Sequence, residues 1–223
     1  VQGGCASRPG MAWPAIVERS FDRPVINLGF SGNGRLEKEL VELCGEIDAK
    51  IYVMDCFPNL TGTEFSLQEI KNRIVNSVDI LRKVHPLTPI LFIEHAGFGD
   101  AAINPGTRNV VNDINKMAEQ TIGELKAKGA KNIFVLTKDE LGLGFEATVD
   151  GIHPTDLGMS KYAAAFEKKA REILHEPVGV LSATRPCTQN RDANTYDWKT
   201  RPDEVLALNA QEPPQVLFIG NSI

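Results

Sequence analysis

Short runs of consecutive apolar residues alternate along this chain with longer stretches whose apolar positions return every three or four residues. Residues 24–28, 50–55, 89–94 and 131–136 form such runs, and Val216 to Ile219 forms a fifth. Runs this short, fed by β-branched and aromatic residues, predict buried strands. The helical period occupies 12–21, 35–47, 66–84, 108–128 and 155–174. In the third of these, Ile70, Ile74, Val78 and Leu81 fall on one stripe, the pattern of a helix lying on a sheet. Strand and helix in strict alternation predict an α/β domain with a parallel sheet.

From His175 to Pro214 the texture changes to Pro, Thr, Asn, Asp and Arg, and only Arg201 to Ala210 keeps a helical pattern. The expected organisation is a core over 1–174, a linker or wrap-around segment over 175–214, and a strand and turn over 215–223 that complete the core. A segment of that length reaches across a domain of this size even when only partly extended.

The 223 residues, 42% of them hydrophobic, can bury a full core and fit one domain with an extension. A net charge of -5, with no cluster of Lys and Arg among aromatics, argues against a nucleic-acid partner. No apolar run approaches the roughly 18 residues of a membrane span, and residues 1–20 lack the basic-then-apolar pattern of a signal peptide. Cys5, Cys44, Cys56 and Cys187 form no Cys-x-x-Cys pair, which speaks against zinc and for free thiols. A Cys5–Cys187 bridge is the alternative in an exported protein.

The candidate chemistry lies at two distant places. Ser222 sits on the turn after the apolar run that ends at Gly220, and Asp150 and His153 stand three residues apart before Pro154. A serine of ordinary acidity needs a base, and the base needs a carboxylate to hold its tautomer. Taken alone, a serine at a strand end is ordinarily a turn or cap residue. Likewise Gly29, Gly32 and Gly34 could cradle a phosphate, but the Lys and acidic partner of a nucleotide site are missing.

Read head to tail, Ile223 followed by Val1 gives Gly-Asn-Ser-Ile-Val-Gln-Gly-Gly, and Trp13-Pro14 follows about a dozen residues later. This resembles the first block of the SGNH (GDSL-type) hydrolase family, with Asn221 in place of the usual Asp. The chain therefore looks either circularly permuted or cut from a tandem array. Residues 196–220 look like the lead-in helix and first strand of enzymes similar to the catalytic subunits of platelet-activating-factor acetylhydrolase, which favours the tandem origin. Three further blocks follow in the family's order: Asn27 to Asn33, Val53 to Asn59, and Asp150 to Pro154.

The resemblance implies a flavodoxin-like three-layer α/β sandwich with a five-stranded parallel sheet. It implies Ser222 as nucleophile, His153 as general base and Asp150 as its orienting carboxylate. It also implies an oxyanion hole made by the N–H groups of Ser222 and Gly32 and the side chain of Asn59, although Pro58 and Leu60 depart from the family's pattern around Asn59. No metal or cofactor is implied. Arg8 and His95 are further candidates for substrate contact, with loop structuring as the alternative for His95. His85 and His175, at helix ends, suit the helix dipole.

The expected activity is hydrolysis of carboxylic esters, with small acyl groups such as acetyl on carbohydrates as substrates, so the expected partner is a small ester or an acetylated glycan. The rival expectation is an inactive scaffold or binding fragment of a tandem esterase whose own nucleophile lies before Val1.

Overall fold

A computed structural model describes residues 3–176 and the backbone of 216–220. Every apolar run becomes a strand: β1 (Val25–Gly29), β2 (Tyr52–Asp55), β3 (Ile90–Ile93), β4 (Ile133–Leu136) and β5 (Val216–Gly220). The helices are α1 (Trp13–Phe21), α2 (Lys38–Cys44), α3 (Leu67–Val84), α4 (Pro105–Ala127), α5 (Lys138–Leu141) and α6 (Asp156–Ile173). The helix expected over 201–210 lies outside the described residues, as does Cys187.

The five strands form one parallel sheet in the order β1-β5-β2-β3-β4. β5 comes last in the chain yet runs between β1 and β2, with Leu217 opposite Ile26 on one side and Tyr52 on the other. Counting β5 first, the order becomes 2-1-3-4-5, the flavodoxin-like winding. Its carboxyl end brings Gly220 level with Gly29 and Asp55.

Side chains alternate across the pleat, so each strand feeds two cores. Tyr52, Met54, Ile90 and Phe92 face the layer of α2, α3 and α4, where the stripe Ile70, Ile74, Val78 and Leu81 meets them. Val53, Leu91 and Ile93 face α1 and α6, where Trp13 packs on Tyr162 and Phe166 at ring-centroid distances of 4.8 and 5.4 Å. Cys44 and Cys56 are buried and Cys5 is half-buried, with no disulfide among the described residues, and burial pushes the Cys44 thiol up to about 12.

Helix starts follow their caps. Ser66 accepts from the N–H of Glu69 at 3.1 Å, and Thr155 from that of Gly158 at 3.2 Å. The expected helix over 35–47 shrinks to α2 because Leu36 takes a positive φ of 56° and the chain past Cys44 tightens into turns. α4 begins three residues before the expected 108. There Asn104 caps the N–H of Gly106 and Pro105 takes the first helical position, which needs no N–H. α5 is too short to show a period, yet Thr137 and Glu140 close a reciprocal capping box on it.

In a parallel sheet all strands end on one edge. Residues 30–33 after β1, the short 3-10 helix Phe57–Leu60 after β2 and the loop Glu94–Gly99 after β3 therefore gather there. The segment 148–154 joins them, because α6 must start at that edge to run back along the sheet.

Candidate active site

The loop that carries His153 is a closed knot of backbone bonds. Thr148 and Pro154 form an antiparallel bridge, the Val149 N–H donates to the His153 carbonyl at 2.8 Å, and the Thr155 N–H donates to Ala147 at 2.9 Å. Within it Asp150 accepts through Oδ1 from the N–H groups of Ile152 (3.0 Å) and His153 (2.8 Å), a turn built by the side chain itself. Its Oδ2 stands 2.5 Å from His153 Nδ1. Partial burial acts to raise the Asp150 carboxyl, but the bonds from the His153 and Ile152 backbone and from the imidazole outweigh it and hold it at about 2.

An ionised carboxylate only accepts hydrogen bonds, so His153 Nδ1 must carry the proton. The lone pair is then left on Nε2. A base oriented in this way is what nucleophilic acyl transfer requires.

Asn59 and the loop that carries Gly32, distant in sequence, are also joined. Gly32 takes a left-handed φ of 64° at the turn that the Asn33 N–H closes on Phe30 at 2.7 Å. A Cβ at Gly32 would touch no described atom, so the glycine answers to the backbone conformation and not to crowding by the protein. The Asn59 side-chain amide donates to the carbonyl of Asn33, tying the loop after β1 to the 3-10 helix after β2. One of its two amide hydrogens is used in that bond.

Ser222 lies outside the described residues; it follows Gly220 through Asn221. Arg8 sits in the segment that Ser7 pins to the start of α6, with the Ser7 N–H and hydroxyl donating to Asp156 at 2.8 and 2.5 Å. Those bonds, with a smaller contribution from the Arg8 charge, lower the Asp156 carboxyl. His95 is buried, at 2% exposure. Its Nδ1 accepts from the Gly97 N–H at 2.9 Å, and its backbone is clasped by Asn115, which accepts from the His95 N–H and donates to its carbonyl, both at 3.0 Å. His95 therefore organises its loop from within. His85 Nε2 donates to the Gly45 carbonyl at 2.8 Å, locking α3 to the end of α2.

Several contributors lie beyond the reach of sequence reasoning. The Gly99 N–H donates to the Gly151 carbonyl at 2.6 Å, joining the loop after β3 to the His153 loop. Asp55 is buried at the carboxyl end of β2 and takes a hydrogen bond from Tyr162, whose phenol is held well above its ordinary range by burial and by that carboxylate. The only sequence signals were a Gly-x-Gly spacing at 97–99 and an acidic residue closing an apolar run.

Residues 1–171 match the model of the GDSL-like Lipase/Acylhydrolase family. The chain belongs to that family. Among solved structures it is similar to a GDSL-like lipase from Bacteroides ovatus ATCC 8483, at 39% identity and a TM-score of 0.69, over 76% of this chain and 49% of that one. It shares its fold with the salicylyl-acyltransferase SsfX3 of a tetracycline biosynthetic pathway, at 19% identity and a TM-score of 0.70, over 80% of this chain and 53% of that one. A family two carbohydrate esterase from Clostridium thermocellum is a more distant fold relative, at 10% identity and a TM-score of 0.54, over 75% of this chain and 55% of that one. The chain thus spans about half the length of each of these relatives. A search of curated proteins finds no match.

Proposed function

We propose that the chain is a serine esterase that hydrolyses carboxylic esters, with small acyl groups on carbohydrates, acetyl being the simplest, as its substrates. Ser222 Oγ attacks the ester carbonyl while His153 Nε2 takes its proton. The tetrahedral oxyanion accepts hydrogen bonds from the N–H groups of Ser222 and Gly32 and from Asn59. Collapse breaks the C–O bond, His153 returns the proton to the leaving alcohol, and water then releases the acyl group from serine by the same route.

The observation that carries this reading is the 2.5 Å contact between Asp150 Oδ2 and His153 Nδ1. It leaves Nε2 as the basic nitrogen, in a loop that belongs to the sheet edge where β5 ends between β1 and β2. Similarity to a GDSL-like lipase and to a carbohydrate esterase supports the ester and the glycan parts of the reading. The bond from the Asn59 amide to the Asn33 carbonyl links the loop of Gly32 to that of Asn59, which supports a shared role for the two.

The test is hydrolysis of p-nitrophenyl acetate and of acetylated xylan by the purified chain and by Ser222→Ala. Turnover that falls by at least a thousandfold in the variant, with an unchanged melting temperature, is the expected result. Equal turnover in both proteins overturns the assignment.

A further inference from the structure

Val53 and Asp55 point to the same face of β2, because side chains alternate along a strand. Val53 packs in the core shared with α1 and α6, so Asp55 sends a carboxylate toward that same layer, at 1% exposure. Its place is the carboxyl end of the strand, level with Gly220 of β5. A carboxylate buried there is costly unless a donor meets it, and an apolar residue would have extended the core without that cost. The hydroxyl of Tyr162, in the second turn of α6, is such a donor. The Tyr162 ring is itself held in the core, with its centroid 4.8 Å from that of Trp13.

Each partner stands a short, stiff path away from a candidate group. After Asp55 and Cys56 the chain enters the 3-10 helix Phe57–Leu60, which carries Asn59 and is closed by the Asn59 N–H donating to the Cys56 carbonyl at 3.0 Å. On the other side α6 begins at Asp156, directly after the loop of His153. The Thr155 N–H donates to Ala147 at 2.9 Å, and a Cβ on Gly158 would stand 2.0 Å from the Ala147 carbonyl oxygen, so the helix and that loop shift together or not at all. Tyr162, Pro58 and Pro154 line one small cavity, and across it the tyrosine borders both the Asn59 helix and the end of the His153 loop.

We infer that Asp55 and Tyr162 are positioning residues, and that the hydrogen bond between them holds the Asn59 amide at a fixed distance from His153. The inference rests on the esterase reading and adds to it two buried residues that act through others. The Asn59 bond to the Asn33 carbonyl anchors the 3-10 helix to the loop after β1. The Asp55–Tyr162 bond anchors the same helix to the layer that carries His153. An oxyanion donor works only at hydrogen-bond distance from the oxygen on which charge develops, and a misplacement of about 1 Å can cost about a hundredfold in rate. A tie at the base of both segments is therefore where such precision is set.

The experiment is a double-mutant cycle on hydrolysis of p-nitrophenyl acetate by the full chain, with kcat taken per mole of folded protein at a temperature where every variant is folded. Tyr162→Phe keeps the ring and removes the hydroxyl. It is expected to lower kcat by about tenfold while KM stays within about twofold of the unaltered chain. Asn59→Ala is expected to cost about 10²–10³ in kcat in the unaltered chain but about tenfold less in the Tyr162→Phe background, because the amide it removes is already out of place there. A structural role alone would lower the amount of folded protein and leave the two effects on kcat additive. Additive effects, or a Tyr162→Phe kcat within about twofold of the unaltered value, overturn the inference and leave the esterase reading standing. If Tyr162→Phe fails to fold, Asp55→Asn takes its place in the cycle. It keeps the shape and an acceptor for the Tyr162 hydroxyl but loses the charge, and is expected to shrink the Asn59→Ala effect by about threefold or more, an undiminished effect overturning the inference. Absence of hydrolysis by the unaltered chain overturns the esterase reading and this inference with it.

Discussion

The N–H of Gly99 donates to the carbonyl of Gly151 at 2.6 Å, so the loop after β3 and the loop holding Asp150 and His153 are in direct backbone contact. No side chain fits between them. A Cβ on Gly99 would stand 2.7 Å from the Cα of Gly151, and one on Gly151, where φ is 87°, would stand 3.1 Å from the Gly99 nitrogen. Gly99→Ala is therefore expected to push the His153 loop outward. Esterase kcat should drop by about tenfold or more, with a stability loss of about 1–3 kcal/mol. Parallel kinetics and urea unfolding check this, and unchanged values in both would show that the contact is dispensable.

Gly158 and Gly123 predict opposite outcomes for the same substitution. Both lie in helices, but a Cβ on Gly158 would meet the Ala147 carbonyl oxygen at 2.0 Å and Pro154 at 2.8 Å, whereas one on Gly123 would meet nothing within 4 Å. Gly158→Ala must displace the strap that holds the His153 loop, so stability and turnover are expected to fall together. Gly123→Ala is expected to raise stability by about 0.5–1 kcal/mol at constant kcat, through helix propensity alone. Thermal melts of the two variants provide the check.

Asp150→Asn tests the tautomer argument at the Asp150–His153 pair. The asparagine oxygen can still accept from the Ile152 and His153 N–H groups, so the loop should hold its shape. Its NH₂ would face His153 Nδ1 as a donor, however, forcing the ring proton onto Nε2 and removing the base. Expected is a fall in kcat of about 10⁴ with little change in melting temperature. A variant that loses activity only in proportion to lost folded protein would give Asp150 a structural role alone.

Asn59→Ala separates oxyanion stabilisation from simple binding. Loss of an oxyanion donor is expected to lower kcat by about 10²–10³ while KM changes little, because the bond strengthens only as charge develops. A raised KM at constant kcat would instead assign Asn59 to substrate binding.

His95 ties stability to pH in a defined window. Its ring is pushed down from 6.5 to about 4 by burial and the Lys138 charge. The unfolded chain takes up the proton near 6.5 while the folded chain resists it down to about 4. The contribution is thus fully present above pH 6.5 and is lost as pH falls through 4, amounting to about 3 kcal/mol. His95→Asn, whose side-chain oxygen can replace Nδ1 as acceptor for Gly97, is expected to flatten the stability profile between pH 6.5 and 4. Urea unfolding of both proteins across that range is the measurement, and parallel profiles would remove His95 as the cause.

The amino-acid pattern by itself determined the elements and the local pairing of two candidate groups. Five apolar runs each long enough for one buried strand, and helical stripes such as Ile70, Ile74, Val78 and Leu81, leave little choice but a parallel sheet between helix layers, because strand and helix each bury their apolar positions with a different period. The pairing of Asp150 with His153 was equally local, since three residues of spacing place both groups on one turn. What only the tertiary structure decided were contacts between segments far apart in the chain: β5 seated between β1 and β2, Asn59 reaching the Asn33 carbonyl, Gly99 against Gly151, and His95 enclosed by Asn115 and Gly97. Each depends on where the sheet order puts a loop, and on how closely two backbones approach there. A glycine carries no side chain to announce such a contact, and a buried histidine reads the same in sequence as an exposed one.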